Sequence, residues 1–153
     1  MQSNDVLRSH LFCKGADSDF IMHLAACGPV ERTWEVGRSI LGLGDPADRL
    51  YLIVEGDVSI ELHAPGGPPT VIQTLGGGDV LGWSWIIPPY RWAFDANALT
   101  PVRALSIDAA RLRTAMTDDP SFGYAMLSRL LVAIADRLQA TRLQLLDLYG
   151  PRR

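Results

Sequence analysis

The chain has 153 residues, 48% of them hydrophobic and 20% charged, with a formal net charge of −3. That balance is ordinary for a globular protein and long enough to bury a core as one domain spanning 1–153. The slight acidic excess argues against direct nucleic-acid binding and against anionic membrane surfaces, and no run of about 18 apolar residues predicts a membrane-spanning helix.

The first ten residues lack the basic-then-apolar layout of a secretory signal. Cys13 and Cys27 are the two cysteines, which suits a reducing cytoplasm and buried thiols better than a disulfide framework. Residues 5–28 read as a helical lead-in, because Val6, Leu7, Leu11, Phe20, Ile21, Leu24 and Ala25 recur at three- and four-residue spacing. Asp17 or Ser18 can cap the second helical piece, and Gly28-Pro29 stops it.

From about 33 to 108 the pattern changes to short strands separated by turn residues. Strands are expected at 50–54, at 57–62, at 71–75 and at 102–107, with turns at Glu55-Gly56, across 64–69 and at 76–79. Val58, Ile60 and Leu62 alternate with Asp57, Ser59 and Glu61, which gives that strand one buried face. This spacing suggests a sandwich or barrel-like roll rather than a parallel sheet.

Helices return over 109–149. Asp118-Asp119-Pro120 is a helix start, with acids at the positive end of the dipole and proline in the first turn. Beyond it Leu127, Leu131, Ile134, Leu138, Thr141, Leu145 and Leu148 alternate four- and three-residue steps, a heptad seam broken by one polar residue. Either the helix packs wholly on its own roll, or its distal half pairs with the same helix of a second subunit.

Residues 78–92, GDVLGWSWIIPPYRW, hold three of the four tryptophans and a single cation. Arg91 has two readings: an anion ligand, or a surface cation stacked between Tyr90 and Trp92. Trp83 and Trp85 can equally anchor the turn. Trp92 and Phe94 alternate with Ala93 and Asp95 as in a strand, and Pro88-Pro89 would end any helical turn before them.

Several chemistries are missing. His10, His23 and His63 are scattered, whereas a metal-bearing roll needs clustered ligands. Gly76-Gly77-Gly78-Asp79 lacks the Lys-Ser/Thr of a triphosphate loop, and no nucleophile-base set stands out, so no catalytic residue, metal or cofactor is expected.

Gly37-Arg-Ser-Ile40, followed by Gly44-Asp-Pro-Ala-Asp-Arg-Leu-Tyr-Leu-Ile-Val-Glu-Gly56 and by Gly78-Asp79 with Leu81-Gly82, resembles the cyclic-nucleotide-binding domain. The family includes the sensory domain of bacterial catabolite activators and kinase regulatory subunits. His10-Leu11-Phe12, Phe20 and Leu24 look like its opening helices. The resemblance implies an α+β fold: a double-stranded β-helix, or jelly-roll-like β-roll, flanked by N-terminal helices and a long C-terminal helix.

It also implies a regulatory module rather than an enzyme, with cyclic AMP, cyclic GMP or another small anionic ligand as the candidate at the cassette that begins near Gly82. Gly82, Trp83, Ser84, Trp85, Arg91 and Trp92 are then the candidate ligand-binding residues, with Arg91 matching the family's phosphate arginine. Trp83 stands where the family typically has a ribose-binding glutamate, and an indole donates but cannot accept. The family's transcription factors continue into a DNA-reading helix-turn-helix, which is not expected here. The expected partners are a second copy of the chain and a separate effector protein. The rival reading is a roll without nucleotide that serves as a protein-interaction module.

Overall fold

The computed structural model describes residues 3–149, and its first helices are fixed by two side-chain caps. Helix α1 (Ser3–Ser9) leads through a 3₁₀ turn (Leu11–Cys13) into α2 (Ser18–Ala26). His10 Nδ1 accepts from the Phe12 amide at 3.0 Å, and Nε2–H donates to the Ile53 carbonyl at 2.7 Å. One neutral tautomer satisfies both contacts and ties the lead-in to the strands. Asp17 caps α2 by accepting from the Phe20 amide at 2.9 Å. Cys13 and Cys27 are both buried and free.

Seven strands follow: β1 (Val30–Trp34), β2 (Ser39–Leu41), β3 (Arg49–Glu55), β4 (Val58–His63), β5 (Pro69–Leu75), β6 (Asp95–Ala98) and β7 (Val102–Asp108). They form two antiparallel sheets, in the orders β1-β7-β3 and β2-β6-β4-β5. With helices at both ends this is the expected α+β roll. Strand β1 starts at Val30, earlier than the strand pattern begins at 33, because it pairs with β7 from Val30↔Ser106 to Trp34↔Val102. Its exposed, mixed side chains leave no alternation to read.

Gly56 closes the β3–β4 turn at φ 97°, where any side chain would collide with the Pro101 carbonyl. On β4, Val58 and Ile60 are buried as the alternation requires, but Leu62 is exposed and Ser59 is buried as well. Ser59 tolerates burial because its hydroxyl donates to Glu61 at 2.5 Å and Glu61 also accepts from Asn97 at 2.7 Å.

After β7 the chain forms α3 (Ala109–Asp118) and α4 (Pro120–Tyr149). Asp119 caps α4 through the Ser121 and Phe122 amides. Leu112, Phe122, Met126 and Leu130 enter the core. Along the seam, Leu127, Leu131 and Leu138 stay 50%, 66% and 50% exposed, while Ile134 and Thr141 are half-buried. The side chains of Leu145 and Leu148, the last seam positions, lie outside the described residues.

Candidate functional site

The cassette segment is laid against β3 by backbone pairing. Ile53 N–H donates to Asp79 O at 2.9 Å, Gly78 N–H to Ile53 O at 2.8 Å and Leu81 N–H to Tyr51 O at 3.0 Å. The chain then turns at Gly82, φ 82°, into a 3₁₀ turn (Ser84–Ile86). A Cβ on Gly82 would stand 2.8 Å from Trp92 Cζ3 and 3.0 Å from Phe94 Cζ. Glycine is therefore required for two reasons, the positive φ and the rings that lie on its Cα.

Those rings belong to an aromatic chain that runs from the core to its half-buried edge. Trp92 is 3% exposed and lies 6.4 Å, centroid to centroid, from Tyr51 in a near-parallel stack. Phe94 follows at 6.0 Å from Trp92, and Trp34 meets Tyr51 edge-on at 5.8 Å. Burial also pushes the Tyr51 hydroxyl above its ordinary pKa.

Arg91 has the opposite orientation. Residues 90–92 run as a ribbon against 44–47, with bonds from Ala47 N to Tyr90 O, Trp92 N to Asp45 O and Gly44 N to Trp92 O at 2.7–2.9 Å. In extended backbone neighbouring side chains point to opposite faces, so Trp92 inside places Arg91 outside. Arg91 is exposed and its Nη1 donates to Gly44 O at 2.9 Å. The six candidate residues thus divide. Gly82 and Trp83 line a cavity, Ser84 and Trp85 form the 3₁₀ turn, Trp92 is core, and Arg91 faces solvent. The amides of Trp83, Ser84 and Trp85 donate to no protein acceptor among the described residues.

Arg113 of α3, which carries no motif and was invisible in the sequence, holds the cassette from behind. Its Nη1 donates to Trp85 O at 2.6 Å, and its guanidinium carbon lies 4.1 Å from the centre of the Tyr90 ring. Trp85 itself is fully buried, with an indole N–H that has no partner among the described residues.

The cavity, about 710 Å³, lies between the Leu11–Phe12 turn, the backbone from Gly78 to Trp83, and α4. Two sets of side-chain bonds tie the middle of α4 to the rest of the chain on either side of this cavity. On one side Arg129 Nη1 donates to Phe12 O at 2.9 Å and Lys14 O at 3.0 Å. On the other, about two turns on, Gln73 of β5 donates to Arg137 O at 3.4 Å and Thr141 Oγ1 at 3.2 Å.

A family profile, "Cyclic nucleotide-binding domain", matches residues 31–119. The chain belongs to this family. A CRP-like cAMP-activated global transcriptional regulator of Mycobacterium tuberculosis is 35% identical over 112 residues, covering 73% of this chain and 48% of that protein. The chain therefore spans about half the length of the curated relatives it matches. Among solved structures, a putative cyclic nucleotide-binding protein from Geobacter metallireducens GS-15 has a TM-score of 0.79 at 26% identity, covering 90% of this chain and 99% of that one. A cyclic nucleotide-binding domain from Methylobacillus flagellatus KT reaches 0.82 at 20% identity over 97% and 85% of the two chains, a likeness of fold alone.

The described residues contain no group of three or more metal-ligating side chains, and no helix among them is long and apolar enough to cross a membrane.

Proposed function

We propose that this domain is a non-enzymatic regulatory module whose output is the packing of α4, and that it works without a cyclic nucleotide in the cassette. One observation carries the second part: Trp92 and Phe94 fill the space against Gly82 while Arg91 is turned to solvent. A cyclic phosphate there would meet indole instead of guanidinium, and the acid that would accept from ribose is replaced by Trp83. The output role rests on α4, which runs 30 residues and is bonded to the Leu11–Cys13 turn on one side of the cavity and to β5 on the other. Its exposed Leu127, Leu131 and Leu138 are the surface on which a second copy would pair, and a separate effector protein would read the change in α4.

Cyclic AMP or cyclic GMP binding is the second reading. It is favoured by the unused amides of residues 83–85, which could cradle a phosphate, and by a relative that is itself cAMP-activated. Isothermal titration with both nucleotides separates the two readings. No heat with either is expected, and saturable heat abolished by Arg91→Ala would overturn the nucleotide-free reading. For assembly, sedimentation of Leu138→Asp is expected to give monomers from a dimeric wild type; a wild type already monomeric would refute the pairing.

A further inference from the structure

The cavity under α4 has walls of one kind and a rim of another. Leu11, Phe12, Val80, Trp83, Val132 and Ile134 supply its apolar lining. Lys14, Arg129 and Arg137 also border it, against Asp79 and Asp136. The Asp79 carboxylate is already held by the Gly76 amide at 2.8 Å, and none of the three cations forms an ion pair among the described residues, although Arg129 donates to the Phe12 and Lys14 carbonyls and Arg137 to the Thr74 carbonyl at 3.5 Å. The local surplus of charge is positive, although the chain as a whole is negative.

The helix crosses this cavity as a beam crosses a gap. On either side of it α4 is bonded through Arg129 and through Arg137 with Thr141, and between them Ala133 and Ile134 are only half-buried. Val132 is 62% exposed although it lines the cavity. Apolar surface of this kind gains when a solute covers it, at about 25 cal/mol per Å². The volume lies within the range of about 300–1,000 Å³ that accommodates small ligands. Of the seam residues, Ile134 lines the cavity while Leu127, Leu131 and Leu138 do not, so the cavity and a second copy paired along the seam would meet at Ile134.

We propose that this cavity binds a small organic molecule with an apolar body and one anionic end. The body lies against Trp83, Val80 and Ile134, and the anion meets Arg137. Occupancy adds apolar contacts between α4 and the cassette and so favours the docked helix. The proposal rests on the reading of α4 as the output, and it supplies the input that such a module needs.

Octanoate and octan-1-ol are matched probes, equal in chain length and different in charge. In calorimetric titrations of the full chain, octanoate is expected to bind saturably, and octanol about tenfold more weakly. Ala133→Trp, which places an indole in the cavity, is expected to abolish binding. Arg137→Gln, a milder change, is expected to weaken octanoate about tenfold and leave octanol unaltered. Octanoate should also slow amide exchange in α4 beyond residue 137. No octanoate binding to the wild type, equal affinity for acid and alcohol, or full binding by Ala133→Trp would overturn the proposal. Cyclic AMP heat in the same instrument would instead overturn the nucleotide-free reading and leave the cavity result standing.

Discussion

Gln73 and Thr141 join β5 to the distal part of α4 through a hydrogen bond of 3.2 Å, and the same carboxamide reaches the Arg137 carbonyl at 3.4 Å. Two N–H groups of one side chain therefore hold the helix from the far side of the cavity. Gln73→Leu keeps the size and removes both donors. Amide exchange beyond Arg137 should accelerate severalfold, while global stability falls by no more than about 1 kcal/mol. Hydrogen exchange read by mass spectrometry checks this, and unchanged protection would mean that the bond does not hold the helix.

The fit of Gly82 against the aromatic core makes a pair of substitutions informative. Gly82→Ala forces a positive φ on alanine and drives its Cβ into the Trp92 ring, so a loss of about 2–3 kcal/mol is expected in urea unfolding. Trp92→Ala should cost about 3–5 kcal/mol through the cavity it leaves. Together they should cost clearly less than the sum, because the 2.8 Å contact no longer exists in the double variant. Strict additivity would show that Trp92 does not press on Gly82.

Legibility in the sequence followed range. Turns and alternation are local, so the strands at β3, β4 and β7 and the start of α4 at Pro120 could be read from Gly56, from Val58 and Ile60, and from Asp119. The turns at Gly78 and Gly82 were legible through their glycines. Side-chain direction was not: Arg91 and Trp92 are adjacent, and which of them faces inward depends on the pairing of 90–92 with 44–47, a contact between segments far apart in the chain. Thr141 read as a polar interruption of a seam, and its role became visible only with Gln73 beside it. Arg113 gave no signal because its partners are the Trp85 carbonyl, common to all residues, and the face of Tyr90.

Arg113 should therefore be tested as the anchor of the cassette. Arg113→Ala removes a charge-assisted bond of 2.6 Å to a buried residue's carbonyl and a cation on the Tyr90 ring. A loss of about 2–3 kcal/mol is expected, accompanied by a change in tryptophan emission as Trp85 loosens. Arg113→Lys should recover part of the stability but less than half, because an ammonium cannot bond the carbonyl and cover the ring in the same geometry. A fully stable Arg113→Ala with wild-type emission would remove the anchor.

The last prediction concerns acid. Burial lowers the pKa of His10 below its ordinary 6.5, with the Ile53 carbonyl and then Asp79 opposing the shift. A group whose folded pKa is depressed binds more protons when unfolded, so its contribution is complete above the unfolded value and is lost as pH falls toward the folded one. Protonation of Nδ1 would also remove the acceptor of the Phe12 amide. The urea midpoint should accordingly fall between pH 7.5 and pH 5.5, before the carboxylates titrate. The lowered Glu61, held by Ser59 and then Asn97, adds a second loss only below its ordinary 4.5. His10→Asn can keep an acceptor for Phe12 but not the bond to Ile53. It should be less stable at pH 7.5 by about 1–3 kcal/mol, the cost of an unpaired buried carbonyl, and its midpoint should change less between the two pH values. An equally steep pH dependence in His10→Asn would assign the acid loss to another group.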